Sequence, residues 1–362
     1  MYEPLALANA LAHIIDPMTQ QPWVNAKNIQ NLQFKDGHLS FEVQVGYPCQ
    51  SMHLGVEGAI DVALLKLDGV KVADAKLKTH IVAHAVGTSA QLIKGVKNII
   101  AVSSGKGGVG KSTTAVNLAL ALAHEGARVG MCDADIYGPS LPHMLGVNAR
   151  PELTAEKHMI PLRAHGMQVN SIGFLVPPEK ATAWRGPMAT GALDQLLKQT
   201  VWDDLDYLVV DMPPGTGDIQ LTLAQRVPVT GAVVVTTPQD VALLDAVKGI
   251  NLFQATRTPI IGIVENMAVY TCSNCGHPEH IFGKDGGERL AHDSGTEVLG
   301  HMPLKPAIRQ QSDSGVPTVA QDPESEESRL YRDIARKVGA KLALMSKDYS
   351  NKFPTIIIST QS

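Results

Sequence analysis

Cysteine is scarce, at four in 362 residues, and basic charge is not in excess: 31 Lys plus Arg face 35 Asp plus Glu, for a formal net charge of −4. So few cysteines exclude a disulfide scaffold and point to a reducing, cytoplasmic setting in which thiols stay free. The charge has the wrong sign for a protein that neutralises phosphate backbones, so no nucleic-acid partner is expected. No stretch approaches the roughly 18 unbroken apolar residues of a membrane-spanning helix; the run from Ala115 to Ala123 is cut by Asn117. The first Lys or Arg is Lys27, after Glu3, so no basic stretch leads into an apolar signal segment, and neither export nor a membrane partner is expected. Charged residues are also sparse, at 18% against 44% hydrophobic, which excludes disorder for most of the chain.

What is present suits one large α/β domain with a smaller one attached. Leu5, Leu7, Leu11, Ile14 and Ile15 recur mostly at helical spacing until Asp16-Pro17, so a helix is expected from Leu5 to Ile15. Asn28 to Phe34 and Leu39 to Val45 flank Asp36-Gly37, and the second run alternates as Leu39, Phe41, Val43, Val45, a half-buried hairpin strand. A helix from Gly58 to Leu67 and a strand from Ile81 to Val86 complete an α-β-β-α-β unit. Residues 1–91 are thus read as a small α+β domain and 92–97 as a linker.

Beyond the linker, short apolar runs alternate with helical segments. They lie at Ile99 to Ser103, Arg128 to Asp133, Tyr207 to Asp211, Ala232 to Thr236, Ile260 to Glu265 and Val298 to Met302. This is the pattern of parallel strands covered on both faces, so a doubly wound parallel sheet is expected over 98–346. Ligands bind such sheets at the carboxyl ends of the strands. Residues 347–362, with Ile356-Ile357-Ile358, lack periodicity and are read as a flexible tail.

Directly after the first of these strands comes Gly105-Lys106-Gly107-Gly108-Val109-Gly110-Lys111-Ser112, followed by a run of helix formers from Ala115 to His124. This is the P-loop pattern in its required strand-loop-helix context. Its glycines let backbone N–H groups turn toward an anion, and the helix adds its positive end, so a triphosphate such as ATP fits there. Lys111 would neutralise the β and γ phosphates, Ser112 would ligate Mg2+ and Thr113 would cap nearby donors. Asp133-Ala134-Asp135 ends the next strand, and Asp135, further out, is preferred as the residue that orients the attacking water. Asp211 reads as a carboxylate that supports magnesium from behind its direct ligands, and Pro213-Pro214-Gly215-Thr216-Gly217 after it as a nucleotide-sensing loop.

Cys272-Ser-Asn-Cys275 follows the strand Ile260 to Glu265 and so falls at the same sheet edge. One pair is half of a four-thiolate site for zinc or a 4Fe-4S cluster, and a two-fold dimer would supply the other half. A single-chain zinc site with His277 and His280 is the competing reading, and a redox pair a third. Cys132 reads as a buried small hydrophobe, and Cys49 lies on a loop of the small domain.

The extra Lys106 inside the phosphate loop resembles the deviant Walker A pattern of dimeric ATPases that include the nitrogenase iron protein, the septum-site and partitioning ATPases and the Mrp/ApbC iron-sulfur carriers. With Asp133 to Ser140, Trp184-Arg185-Gly186-Pro187-Met188, Asp211 to Asp218, Val264-Glu265-Asn266-Met267 and the thiol pair, the resemblance narrows to the Mrp/ApbC family across nearly the whole chain. Residues 1–91 resemble the small domain found at the front of many of its members. The family implies a homodimeric ATPase that binds a labile 4Fe-4S cluster between subunits, at Cys272 and Cys275 here, and passes it from donors to apo-proteins. It also implies that Lys106 reaches the partner's nucleotide, that Asn266 contacts adenine and that Pro238 to Asp240 line the base pocket. Two other readings are a positioning or partitioning ATPase, which would need a membrane-targeting end or a basic patch, and a zinc-stabilised nucleotide-binding regulator.

Overall fold

The computed structural model describes residues 2–86, 91–176, 186–215 and 217–347. Trp184, Arg185, Thr216 and the tail beyond Lys347 lie outside the described residues.

The front of the chain forms α1 (Pro4–Ala10), β1 (Ile29–Lys35), β2 (His38–Val45), α2 (His53–Leu64) and β3 (Val72–Thr79). The hairpin turns at Asp36 and Gly37, whose φ angles of 53° and 83° supply the positive pair that a two-residue turn needs. Leu39, Phe41, Val43 and Val45 all face the small core, as their alternation requires. Three boundaries differ from expectation. The first helix stops at Ala10, because Asp16 organises the turn after it by accepting from Met18 N, Thr19 Oγ1 and Tyr47 Oη. The second begins at His53 instead of Gly58. The third strand is β3, parallel to β2, and not Ile81 to Val86; its two buried side chains, Ala75 and Leu77, give too weak an apolar signal to stand out.

The large domain begins with β4 (Val96–Ser103), two residues of which fall in the segment read as linker, then α3 (Lys111–His124), β5 (Val129–Asp133) and α4 (Leu141–Met144). It continues through β6 (Leu162–Ala164), β7 (Met167–Ser171), α5 (Gly186–Lys198), β8 (Leu205–Asp211), α6 (Asp218–Arg226), β9 (Gly231–Thr236) and α7 (Asp240–Ala255). The last part is β10 (Ile260–Glu265), β11 (Tyr270–Thr271), β12 (Pro278–Glu279), α8 (Gly286–Asp293), β13 (Val298–His301), α9 (Pro306–Asp313), α10 (Thr318–Gln321) and α11 (Glu326–Ala343). Eight strands form one sheet in the order β13-β10-β9-β4-β8-β5-β7-β6, with β6 antiparallel at the edge and the other seven strands parallel. The β6–β7 hairpin is absent from the sequence reading. β7 buries Gln168, Asn170 and Ser171, which hides it from any apolar count; Gln168 Nε2 donates to Asp203 O and Asn170 Nδ2 to Thr200 Oγ1.

The small domain rests on the far end of the helix that opens at the phosphate loop. Glu125, fully buried beyond α3, accepts from Ser51 N at 3.0 Å, Ser51 Oγ at 2.7 Å and Arg336 Nη1 at 2.8 Å. Cys49 lies beside this contact with no exposed surface, and burial, reinforced by the charges of Asp16 and Glu125, pushes its thiol up to about 12. It is a protonated interior thiol.

His84 closes the same junction. Asn98 Nδ2 donates to the carbonyls of Val82 and Asp206, which fixes Asn98 Oδ1 as the acceptor facing His84 Nδ1 at 3.0 Å. The ring proton therefore sits on Nδ1, and Nε2 is buried without a partner. Burial lowers the imidazole pKa, Lys347 adds to that, and the Asn98 bond opposes it. A histidine held below its unfolded value contributes stability that is complete above about pH 6.5 and is lost below it, at no more than about 1.4 kcal/mol per pH unit. Thermal unfolding of His84→Gln is expected to fall less steeply than wild type between about pH 7.5 and 5.5. His301, whose pKa is raised by its bond to Glu265, has the opposite sign and cancels in that comparison.

Candidate functional site

The phosphate loop leaves β4 and turns into α3 at Gly110, with φ values of 82° at Gly108 and 81° at Gly110. Close packing enforces glycine at two of its positions. A Cβ on Gly105 would lie 2.1 Å from the carbonyl carbon of Asp245 in α7, and one on Gly110 would lie 2.1 Å from Asn266 Nδ2. The loop borders a cavity of about 590 Å³ lined by Lys106, Gly107, Gly108, Gly110, Lys111, Ser112, Thr113, Asp135 and Asn266, with the amino end of α3 facing it. Backbone donors and a helix N-terminus at one wall make this an anion cradle. Gly105 and the buried Val109 shape the loop from outside that wall.

Lys111 is almost buried, and its Nζ donates to Asp211 Oδ1 at 2.5 Å and to Ser112 Oγ at 3.2 Å. Burial raises the Asp211 pKa and the ammonium lowers it. Asp133 is buried beside this pair, and burial first, then the charge of Asp211, raises its pKa. The carboxylate that ends β5 and the one two residues beyond it have different jobs. Asp133 accepts from the backbone of Asp135 at 3.0 Å, Ser140 at 3.1 Å and Leu141 at 3.2 Å, and so holds the following loop in shape. Asp135, accepting from Gly138 N at 3.2 Å, reaches the cavity. The hydroxyl of Ser112 with the carboxylates of Asp211 and Asp135 is a set of hard oxygen donors, the chemistry that Mg2+ requires.

Asn266 follows β10 and lines the cavity, but its Nδ2 is committed to the Val109 carbonyl at 2.9 Å. Pro238 does not line it; it packs beneath Gly286, where a Cβ would meet the Pro238 carbonyl oxygen at 2.6 Å. The far wall comes from Pro303, Leu304, Lys305, Ile308 and Arg309, after β13 and in α9, with His143 and Met144 from α4. These residues carry no motif. One signal was available: they follow a strand whose carboxyl end faces the same edge.

Cys272 and Cys275 occupy the tip of the β11–β12 hairpin, closed by Cys272 N donating to His277 O at 3.0 Å and Gly276 N to Cys272 O at 2.9 Å. Cys275 is exposed and Cys272 partly so. The Cys272 pKa is lowered by hydrogen bonds from the backbone of Cys275 and Asn274, and then by the Cys275 thiol itself, so the sulfurs are neighbours. His280 turns away, its Nδ1 donating to Ala268 O at 2.8 Å. Among the described residues no three His, Cys, Asp or Glu side chains converge as a metal site, so the single-chain zinc reading with His277 and His280 is not assembled. No helix of the described residues is long and apolar enough to cross a membrane.

Residues 95–339 match the family described as NUBPL iron-transfer P-loop NTPase, and residues 6–77 match the family described as iron-sulfur cluster assembly protein. The iron-sulfur cluster carrier protein of Escherichia coli (strain K12) is 52% identical over 337 residues, covering 93% of this chain and 91% of its own length. The iron-sulfur cluster transfer protein NUBPL of Mus musculus is 50% identical over 252 residues, 69% of this chain and 79% of its own. Among solved structures, a nucleotide-binding protein in complex with ADP from Archaeoglobus fulgidus matches with a TM-score of 0.55 and 38% identity, over 61% of this chain and 87% of that one. The cell division ATPase MinD of Pyrococcus furiosus, at 24% identity and a TM-score of 0.51, shares the fold over 67% of this chain and 98% of its own.

Proposed function

The chain belongs to the iron-transfer P-loop NTPase family, and on that premise we propose that it is an ATP-dependent carrier of a labile 4Fe-4S cluster, delivered to apo-proteins by a homodimer. One observation carries this reading. Two neighbouring thiols, one with a lowered pKa, stand open to solvent on a hairpin that follows β10, at the sheet edge that also presents the phosphate loop. A single chain offers two thiolates, and a cluster with four cysteine ligands needs two chains.

In this mechanism the loop amides and Lys111 hold the triphosphate, for which Lys111 exchanges its contact with Asp211. Asp135 orients the attacking water, and Lys106 completes the partner's site. Ser112 and Asp211 would hold Mg2+, which supplies neutralisation of phosphate charge. The backbone after Asp135 and Asp211 reports the phosphate state to the thiol hairpin.

Anaerobic reconstitution with iron and sulfide tests the reading. Wild-type protein is expected to gain about four irons per dimer with brown charge-transfer absorption, and Cys272→Ser to lose both. One tight zinc per monomer, indifferent to dimer disruption, would instead make the chain a zinc-stabilised regulator.

A further inference from the structure

The nucleotide cavity and the thiol hairpin are joined by one short stretch of chain. β10 ends at Glu265, and the next residue, Asn266, grips the phosphate loop through the Val109 carbonyl at 2.9 Å. Two residues later the Ala268 carbonyl accepts from His280 Nδ1 at 2.8 Å, and His280 directly follows β12, the second strand of the cysteine hairpin. Between these anchors Met267 has a φ of 56°, a conformation that a residue with a side chain adopts only when its surroundings impose it. The backbone on either side is tied as well, Asn266 N to Thr236 O at 2.7 Å and Ala268 N to Met302 O at 3.0 Å.

We propose that His280 is a positioning residue through which, together with Asn266, the occupancy of the phosphate loop sets how Cys272 and Cys275 are presented. Its purpose, nucleotide-controlled release of a cluster, rests on the carrier reading. The physical step is the stiffness of one peptide plane. The Val109 carbonyl and the Gly110 N–H belong to the same planar unit and point in opposite directions. An N–H that swings onto a phosphate oxygen must swing the carbonyl behind it, and Asn266 holds that carbonyl. The contact is enclosed, because Val109 and Asn266 are both buried and the Asn266 amide lies 2.9 Å from the carbonyl it holds. At the other end, the hairpin has a ladder of only two residue pairs, Tyr270 with Glu279 and Thr271 with Pro278. So short a hairpin takes its orientation from what anchors it, and His280 is an anchor.

The test uses the full-length, reduced, cluster-free protein. Alkylation of Cys272 and Cys275 by iodoacetamide is timed by peptide mass spectrometry without nucleotide, with MgADP, and with magnesium and a non-hydrolysable ATP analogue. Cys49 and Cys132 are buried and do not compete. Wild-type rates are expected to differ between states by about fivefold or more, the low end of ordinary coupling between sites. His280→Ala is expected to bind MgADP within about twofold of wild type and yet show a difference in alkylation between states reduced to within about twofold, the remainder being carried by the loops after Asp135 and Asp211. His280→Asn, whose Nδ2 can replace the lost donor, should regain the difference. Wild-type rates indifferent to nucleotide, or an undiminished nucleotide dependence in His280→Ala, would overturn the link. Iron loading of the same wild-type protein keeps the two readings apart. Normal loading with no alkylation response sinks the link and leaves the carrier standing, and a response without iron loading does the reverse.

Discussion

Lys106→Ala is expected to lower ATP turnover by about 10³- to 10⁵-fold, roughly 4 to 7 kcal/mol of transition-state stabilisation, the range measured when a cation supplied to related phosphoryl-transfer sites is removed. Lys111 cannot substitute for it, being buried on Asp211 within its own chain. Lys106 is placed differently. Its carbonyl is pinned by Ser104 Oγ at 2.9 Å, it lines the cavity, and it forms no ion pair among the described residues, so its ammonium is available for a second nucleotide. A mixing experiment decides between action within a chain and across the dimer. Lys106→Ala and Lys111→Ala should each be inactive alone. In a mixed dimer the Lys106→Ala subunit keeps its own Lys111 and receives Lys106 from its partner, which restores one complete site of the two. Activity regained on mixing establishes action in trans, and a mixture as dead as its parts would place Lys106 in its own subunit's site.

The phosphate loop was legible because its chemistry is local: consecutive amides, a lysine and a hydroxyl, spaced so that a strand-loop-helix turn brings them together whatever surrounds it. The parallel strands around it were legible for a related reason, since a strand buried on both faces reads as an apolar run. β7 escaped because Gln168 and Asn170 satisfy their polarity inside the sheet, and a composition signal cannot register hydrogen bonds. Asp133-Ala134-Asp135 reads as one strand end with Asp135 further out. The strand ends at Asp133, however, and its carboxylate is consumed by the amides of the loop that presents Asp135. Pro238, placed at the base pocket by resemblance, packs under α8 and does not border the phosphate-loop cavity, part of whose lining comes from residues beyond β13. The link from Asn266 to Val109 joins residues 157 apart in the chain, and only the folded sheet brings them into register.

The buried charges beside the anion cradle should make its lysine a large stabilising element before any nucleotide binds. Lys111 and Asp211 are 6% and 1% exposed, and Asp133, with no exposed surface, lies close enough for the charge of Asp211 to raise its pKa. Removing one partner of such a pair strands a charge in the interior, at a cost of about 3–5 kcal/mol. Lys111→Met, which keeps the bulk and loses the charge, is expected to destabilise the nucleotide-free protein by that amount. Asp211→Asn added to it should recover most of the loss, since no unpaired carboxylate then remains at that position. The pH dependence has a definite sign. Without Lys111, the folded pKa of Asp211 rises further above its unfolded value, so the folded state holds a proton that the unfolded state has released. Stability of the single variant relative to wild type should therefore fall as pH rises, by up to about 1.4 kcal/mol per unit, and recover on acidification toward the unfolded carboxylate range. Chemical unfolding of wild type, Lys111→Met and the double variant across that range checks it. A single variant as stable as wild type at neutral pH, or a double variant no better than the single, would mean that the interior carboxylates do not need the lysine's charge.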